Sequence, residues 1–168
     1  VIDEMRFFNG FPKDIEAAQD RLGDIGGPKS HTNYPWGWAQ VGNTPLKWYK
    51  QNTFGGGVRD PLVVHWPDRI ADKGGIRTQF HHITDITPTI LEELGIEQPA
   101  EFKGRAQLPV AGKSLSYSFD DAAAPTNRSA QYFEMFGHRG IWSDGWKAVT
   151  YHLNGKPFDE DIWELYHV

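Results

Sequence analysis

The stretch WYKQNTFGGGVRDPLVVHWP, residues 48–67, sets the terms for reading the whole chain. It runs from Lys50 through three consecutive glycines, Gly55, Gly56 and Gly57, into the apolar run PLVVHW at 61–66, closed by Pro67. That run lacks polar alternation. It is the pattern of a strand covered on both faces, as in a parallel sheet. Glycines permit backbone angles and close approaches that a Cβ forbids. Ligands of open α/β sheets gather at strand ends. A lysine beside glycines at such an end is placed to donate to the oxygens of a tetrahedral anion. The plainer reading of any single lysine is a solvated surface charge.

Upstream, residues 12–22 read as a short helix. Pro12 suits its first position, Ile15, Ala18 and Leu22 share a face, and Gly23 ends it. Residues 23–43, GDIGGPKSHTNYPWGWAQVGN, have no clear period and read as a long functional or mobile loop. Thr44 and Pro45 open a brief helical turn, with Lys50 near its end. Downstream, Thr87 caps a helix that starts at Pro88, turns Ile90, Leu91 and Leu94 inward, and stops at Gly95. The polar residues 97–107 read as a connector, and 113–121 as a helix with Leu115 and Phe119 on one side. Residues 131–136 and 141–151 read as strands, with Ser143-Asp144-Gly145 as a hairpin turn. The predicted fold class is α/β: a portion of an α/β domain over residues 1–100, then a small α+β subdomain with an antiparallel sheet over 101–168.

Composition narrows the function classes. Of the 168 residues 39% are hydrophobic and 14% aromatic, enough for a packed core and against disorder. The net charge of −5 argues against nucleic acid as a partner and requires local cations at any anion site. The absence of cysteine removes disulfides, thiolate metal sites and a cysteine nucleophile. No apolar run reaches membrane-spanning length, so no membrane partner is expected. The first residues, VIDEMRFFNG, carry no signal-peptide pattern and no initiator Met, and the chain ends at WELYHV without a polar tail. Both ends read as cuts within a longer polypeptide.

The seven histidines form neither HxH nor HExxH. His81, His82 and Asp85 are the one local cluster, and it reads as a helix start rather than a metal site. There is no G-x-S-x-G elbow, and the serines read as caps and turns. Glu92-Glu93 and Asp120-Asp121 read as solvated pairs on helix faces or ends. The chain by itself does not contain a complete active site. Tyr34, Trp36 and Trp38, in YPWGW, can form one wall of an aromatic substrate pocket; the alternative is that they pack the long loop onto the core.

Taken together, these pieces resemble a known family. GNTPLKWYKQNTFGGGVRDPLVVHWP resembles the type I sulfatases of the alkaline phosphatase superfamily, the bacterial arylsulfatases in particular, which carry a lysine, about four residues, a Gly-Gly pair and a hydrophobic strand ending in Trp-Pro. HHITDITPTILEELGI resembles the segment that follows in the family, and GKSL and GWKAVTY…WELYHV resemble its C-terminal subdomain. RFFNG and YPWGWAQVGNTP are similar to the bacterial branch. The likeness runs over essentially the whole chain.

The resemblance implies a sulfuric ester hydrolase that cleaves sulfate monoesters to alcohol and sulfate. The family's nucleophile is a formylglycine made from Cys or Ser in a C/S-x-P-x-R motif, which this sequence lacks. Its cofactor is one calcium ion, whose ligands precede the region matched here. The one family active-site residue that maps onto this chain is the lysine before Gly-Gly. That is Lys50 and not Lys47, by its distance from Gly56-Gly57. In the complete enzyme a hydroxyl of the formylglycine hydrate attacks sulfur, the alcohol leaves, and Lys50 donates to a sulfate oxygen. Gly55 stands where the commoner family pattern has Glu, so any pairing which that glutamate makes is missing here. The expected partners are a small-molecule sulfate ester and the rest of the polypeptide. Two alternatives stay open: a phosphonate or phosphate diester hydrolase of the same superfamily, and a non-catalytic module that holds a ligand on its aromatic loop. An isolated fragment of this kind is expected to be inactive and to expose apolar surface.

Overall fold

The computed structural model describes residues 9–12 and 14–168. Residues 1–8, with most of the RFFNG motif, and residue 13 lie outside that description. The chain divides into two compact units, Val1–Val58 and Arg59–Val168. The join expected near residue 100 falls within the second.

The first unit is helical. Asp14 caps α1, Ile15–Gln19, by accepting the Ala17 amide at 2.9 Å, which satisfies one of the free donors of a helix start. A 3₁₀ turn, Leu22–Asp24, follows. The predicted helix is thus present but shorter, and Ile15 and Leu22 remain exposed. The long loop is not all loop: α2, Trp36–Asn43, occupies its second half, with Pro35 as N-cap and Thr44 as C-cap. Thr44 therefore ends a helix rather than starting one. A short helical turn, α3, Gly55–Val58, closes the unit. Phe54, only 1% exposed, is its apolar centre, with Thr53 buried beside it.

The second unit begins with residues 59–66 in no regular structure. The predicted strand at 61–66 has no ladder partner among the described residues, and Val63 is 88% exposed. The physical reason is plain: a strand exists through its neighbours, and the parallel partners its composition calls for are not among these residues. The expected exposed apolar surface is there.

A 3₁₀ turn, Ile83–Asp85, leads into α4, Ile86–Glu93. Thr87 lies inside this helix rather than capping it. Gly95 ends it with φ +63, and the Ile96 amide donates to the Leu91 carbonyl at 2.9 Å, a left-handed helix stop. Ile90 and Leu94 are exposed, contrary to their predicted inward placement, and Thr89 is the buried residue of the helix. The polar connector contains a small hairpin, β1 (Glu101–Phe102) with β2 (Arg105–Ala106), turning at Lys103 and Gly104, both at positive φ. The helix expected at 113–121 shrinks to a 3₁₀ turn, Ser116–Ser118, though Leu115 and Phe119 are buried as expected.

The antiparallel subdomain sheet is present. Its four strands, β3 (Ala130–Met135), β4 (His138–Ser143), β5 (Trp146–Thr150) and β6 (Trp163–His167), pair in sequence order. Asp144 and Gly145, at φ +46 and +80, make the tight turn between β4 and β5. Register places Gln131, Trp142, Lys147 and Tyr166 in one cross-strand row, and Tyr132, Ile141, Ala148 and Leu165 in the next, on the other face. Phe80 covers the first face, stacking on Trp142 at 4.0 Å between centroids and meeting Phe133 edge-on at 6.5 Å. Arg69 joins the loops to α4 through a two-pronged contact with Glu93, at 2.8 and 3.2 Å, and one with Asp120 at 2.7 Å. Among the described residues, no helix is long and apolar enough to cross a membrane.

Candidate functional site

Lys50 sits at the corner of a turn. The Asn52 amide donates to the Tyr49 carbonyl at 3.2 Å, and Gln51, the third residue, has φ +76, the feature of a type II turn. Gln51 takes a conformation that ordinarily belongs to glycine or asparagine, so the local sequence pays a strain cost to present Lys50 there.

Two of the three glycines, Gly56 and Gly57, explain how this turn is held. The Gly56 amide donates to the Lys47 carbonyl at 2.9 Å. A Cβ on Gly56 would stand 1.8 Å from the Trp48 carbonyl oxygen, and one on Gly57 would stand 2.1 Å from that of Asn52. Only glycine lets the two backbones touch. Asn43, the last residue of α2, clamps both sides: its Nδ2 donates to the carbonyls of Trp48 at 2.9 Å and Gly56 at 2.8 Å. Gly55 differs. A Cβ there would meet only the flexible Leu46 side chain, at 3.3 Å, so the backbone path does not depend on glycine at this position.

The two lysines of this segment have different surroundings. Lys47 Nζ lies 5.0 Å from the centre of the Phe54 ring, a cation–π contact with the core residue. Lys50 is exposed and forms no hydrogen bond or ion pair with the described residues, so its three donors are uncommitted.

Tyr34, Trp36 and Trp38 all stand exposed on or just before α2. The Tyr34 hydroxyl donates to the Trp38 carbonyl at 3.2 Å, which fixes the phenol against the helix. The rings are not packed into a core formed by the described residues.

His81, His82 and Asp85 do not assemble a metal site, and among the described residues no group of three His, Cys, Asp or Glu could hold one. Asp85 is fully buried at 0% exposure and acts as an internal hub. Its carboxylate pairs with Arg128 and accepts the amides of His82 at 2.8 Å and Lys113 at 2.9 Å. Its carbonyl accepts the Thr89 hydroxyl, which in turn accepts the Leu115 amide at 2.9 Å. The GKSL segment docks here because Gly112 passes so close to the Thr84 carbonyl that a Cβ would stand 2.0 Å from it. Burial pushes His81 and His82 below the ordinary imidazole range. Asp85 does start the helix region, as read from the sequence. Its partner Arg128 lies 43 residues away, and no local signal announced it.

Residues 46–168 match the family model described as N-sulphoglucosamine sulphohydrolase, C-terminal. An uncharacterized sulfatase of Schizosaccharomyces pombe is 30% identical over 155 residues, covering 90% of this chain and 27% of its own length. The arylsulfatase of Klebsiella aerogenes is 30% identical over 76% of this chain and 26% of its own length. The N-acetylgalactosamine-6-sulfatase of Mus musculus is 28% identical over 64% of this chain and 21% of its own. The chain thus spans about a quarter of the length of these relatives. These similarities make the chain a member of the sulfatase family, of which it carries a C-terminal part.

Proposed function

We propose that the complete protein hydrolyses a sulfate monoester and that this part of it supplies Lys50 to the sulfate group. The observation that supports the reading is the Lys50 turn, where a backbone held by Gly56, Gly57 and Asn43 presents an ammonium that no other described residue engages. Geometry fixed before the substrate arrives is what makes a donor effective against charge that builds in the transition state. Lys47 is a poorer candidate, because its ammonium already faces Phe54.

The chemistry follows from the family likeness. The formylglycine nucleophile and the ligands of the calcium ion belong to polypeptide outside these residues, and the described residues offer no ligand set for the metal. As the nucleophile's oxygen would bond to sulfur, the S–O bond to the alcohol would break and its electron pair would pass to the leaving-group oxygen, where negative charge grows. The Lys50 ammonium donates to a sulfate oxygen and offsets that charge without changing its own protonation state. Tyr34, Trp36 and Trp38 offer an aromatic surface to the organic part of the ester, supported by their exposure. The names of the relatives, an arylsulfatase and an N-acetylgalactosamine-6-sulfatase, span aryl and sugar esters, so the substrate class stated is the sulfuric ester.

The test compares turnover of 4-nitrophenyl sulfate and of a phosphonate monoester by the full-length protein. Faster sulfate hydrolysis is expected. A clear preference for the phosphonate would replace this reading with that of the related hydrolase.

A further inference from the structure

Residues 151–162 connect β5 to β6, and a network of polar side chains ties them to the sheet. The His152 ring stacks on Phe158 at 4.1 Å between centroids. Its Nδ1 faces both carboxylate oxygens of Asp161, at 3.1 and 3.2 Å. Arg139 on β4 donates to the same carboxylate at 2.7 Å and to the Phe158 carbonyl at 3.0 Å. One further tie is of a different kind: the backbone amide of His152 donates to Nδ1 of His138, the first residue of β4, at 3.0 Å.

These contacts fix where each ring carries its hydrogen. A nitrogen that accepts an amide has no proton of its own, so His138 is neutral, with its hydrogen on Nε2. His152 is the reverse: its Nδ1 carries the hydrogen that Asp161 accepts, and a second proton at Nε2 leaves that contact in place. Acid therefore treats the two rings differently. A proton on His138 sets one N–H against another and puts a cation on a residue that is only 9% exposed. The groups around the ring do not offset this. Tyr151 covers one face at 4.3 Å between centroids. The Glu134 carboxylate on β3 accepts the Gly137 amide at 2.7 Å, Asp161 is already engaged by Arg139 and His152, and His152 repels a second cation. Burial first, then His152, holds His138 below the ordinary imidazole range.

We infer that the β5–β6 connector is an acid-released latch, closed while His138 is neutral and freed when that ring takes a proton. The inference rests neither on Lys50 nor on the hydrolytic reading. Its direction follows from linkage. The freed ring binds its proton at the ordinary 6.5 and the latched ring only at lower pH, so opening gains a proton as pH falls below 6.5.

The experiment measures hydrogen exchange over residues 151–162 of the full-length protein by mass spectrometry, at about pH 7 and about pH 5.5, corrected for the intrinsic pH dependence of exchange, beside exchange over β4 and β5. The proton gained across that interval should raise opening of the connector about five- to tenfold, with β4 and β5 unaffected. His138→Asn keeps an acceptor near the place of Nδ1 and cannot titrate, so its connector should be equally protected at both pH values. If that variant does not fold, 15N-labelled histidine in the wild type decides: the His138 ring and the His152 amide should shift together, with one midpoint below 6.5. Connector protection that acid leaves unchanged, or that is lost equally over β4 and β5, overturns the inference. So does the same acid response in His138→Asn, or separate midpoints for the ring and the amide.

Discussion

The substitution Gly56→Ala tests how the Lys50 turn is built. The added Cβ would stand 1.8 Å from the Trp48 carbonyl oxygen and 2.8 Å from that of Lys47. Such contacts are essentially never shorter than 3.0 Å, so the two backbones must part by about 1.2 Å, the difference between 3.0 and 1.8 Å. Both atoms in the clash are backbone, so no side chain can swing aside. Overpacking of this kind costs about 1–3 kcal/mol. The displacement also stretches the Gly56–Lys47 hydrogen bond of 2.9 Å and the Asn43 contact of 2.8 Å, each worth about 1 kcal/mol net. The expected loss is therefore about 3–5 kcal/mol in a denaturant titration of the full-length protein. The reacting geometry suffers separately: moving a positioned group by about 1 Å lowers turnover by about 10²-fold. Gly55→Ala is the internal control, because its Cβ meets only Leu46 side-chain atoms, at 3.3 Å, and should leave both readouts nearly unchanged. If Gly56→Ala melted and turned over like the wild type, the glycine lock would be wrong.

Three further outcomes follow from the geometry. Asp85→Ala leaves Arg128 buried and unpaired and should destabilise the protein by about 3–5 kcal/mol, read by chemical denaturation; a loss under about 1 kcal/mol would remove Asp85 from its central place. Gln51→Gly relieves a side chain held at φ +76 and should raise stability by about 1 kcal/mol, while a decrease would show that the Gln51 side chain makes a contact worth more than the strain. The third concerns pH. Burial holds His138 below its ordinary 6.5, and its Nδ1 accepts the His152 amide at 3.0 Å, so the folded form needs this ring neutral. The unfolded chain then binds the proton more readily, and the contribution is full above pH 6.5 and is lost as pH falls below it. His81 and His82 act in the same direction. Melting temperature should drop between neutral and mildly acidic pH, and His138→Gln should flatten that slope; an unchanged slope would contradict the assignment.

What the sequence disclosed depended on how local the cause was. Ser143-Asp144-Gly145 announces a hairpin because a tight turn is chosen by the residues within it, and the strands on either side follow. Gly95 announces a helix stop for the same reason. The Lys50–Gly-Gly spacing was legible as a motif. Its mechanics were not, since the contact of Gly56 with Trp48 depends on a fold-back that no period encodes. Residues 61–66 have the composition of a buried strand, yet a strand is completed by partners, and composition cannot supply them. The helix at Trp36–Asn43 was hidden by two glycines and two tryptophans, residues that favour no helix strongly and leave no apolar stripe to follow. Asp85 shows the limit from the other side: its role as a helix start was visible nearby, but the buried pair with distant Arg128 was not.

The most direct measurement of the central claim is kcat/KM for a sulfate monoester in the full-length protein carrying Lys50→Ala, set beside Lys47→Ala. The account predicts that loss of the uncommitted ammonium lowers the rate by about 10²–10³-fold, mostly in kcat. Losing the Phe54-facing lysine should leave turnover far less affected. A Lys50→Ala enzyme within a few-fold of wild type, or a larger loss from Lys47→Ala, would contradict it.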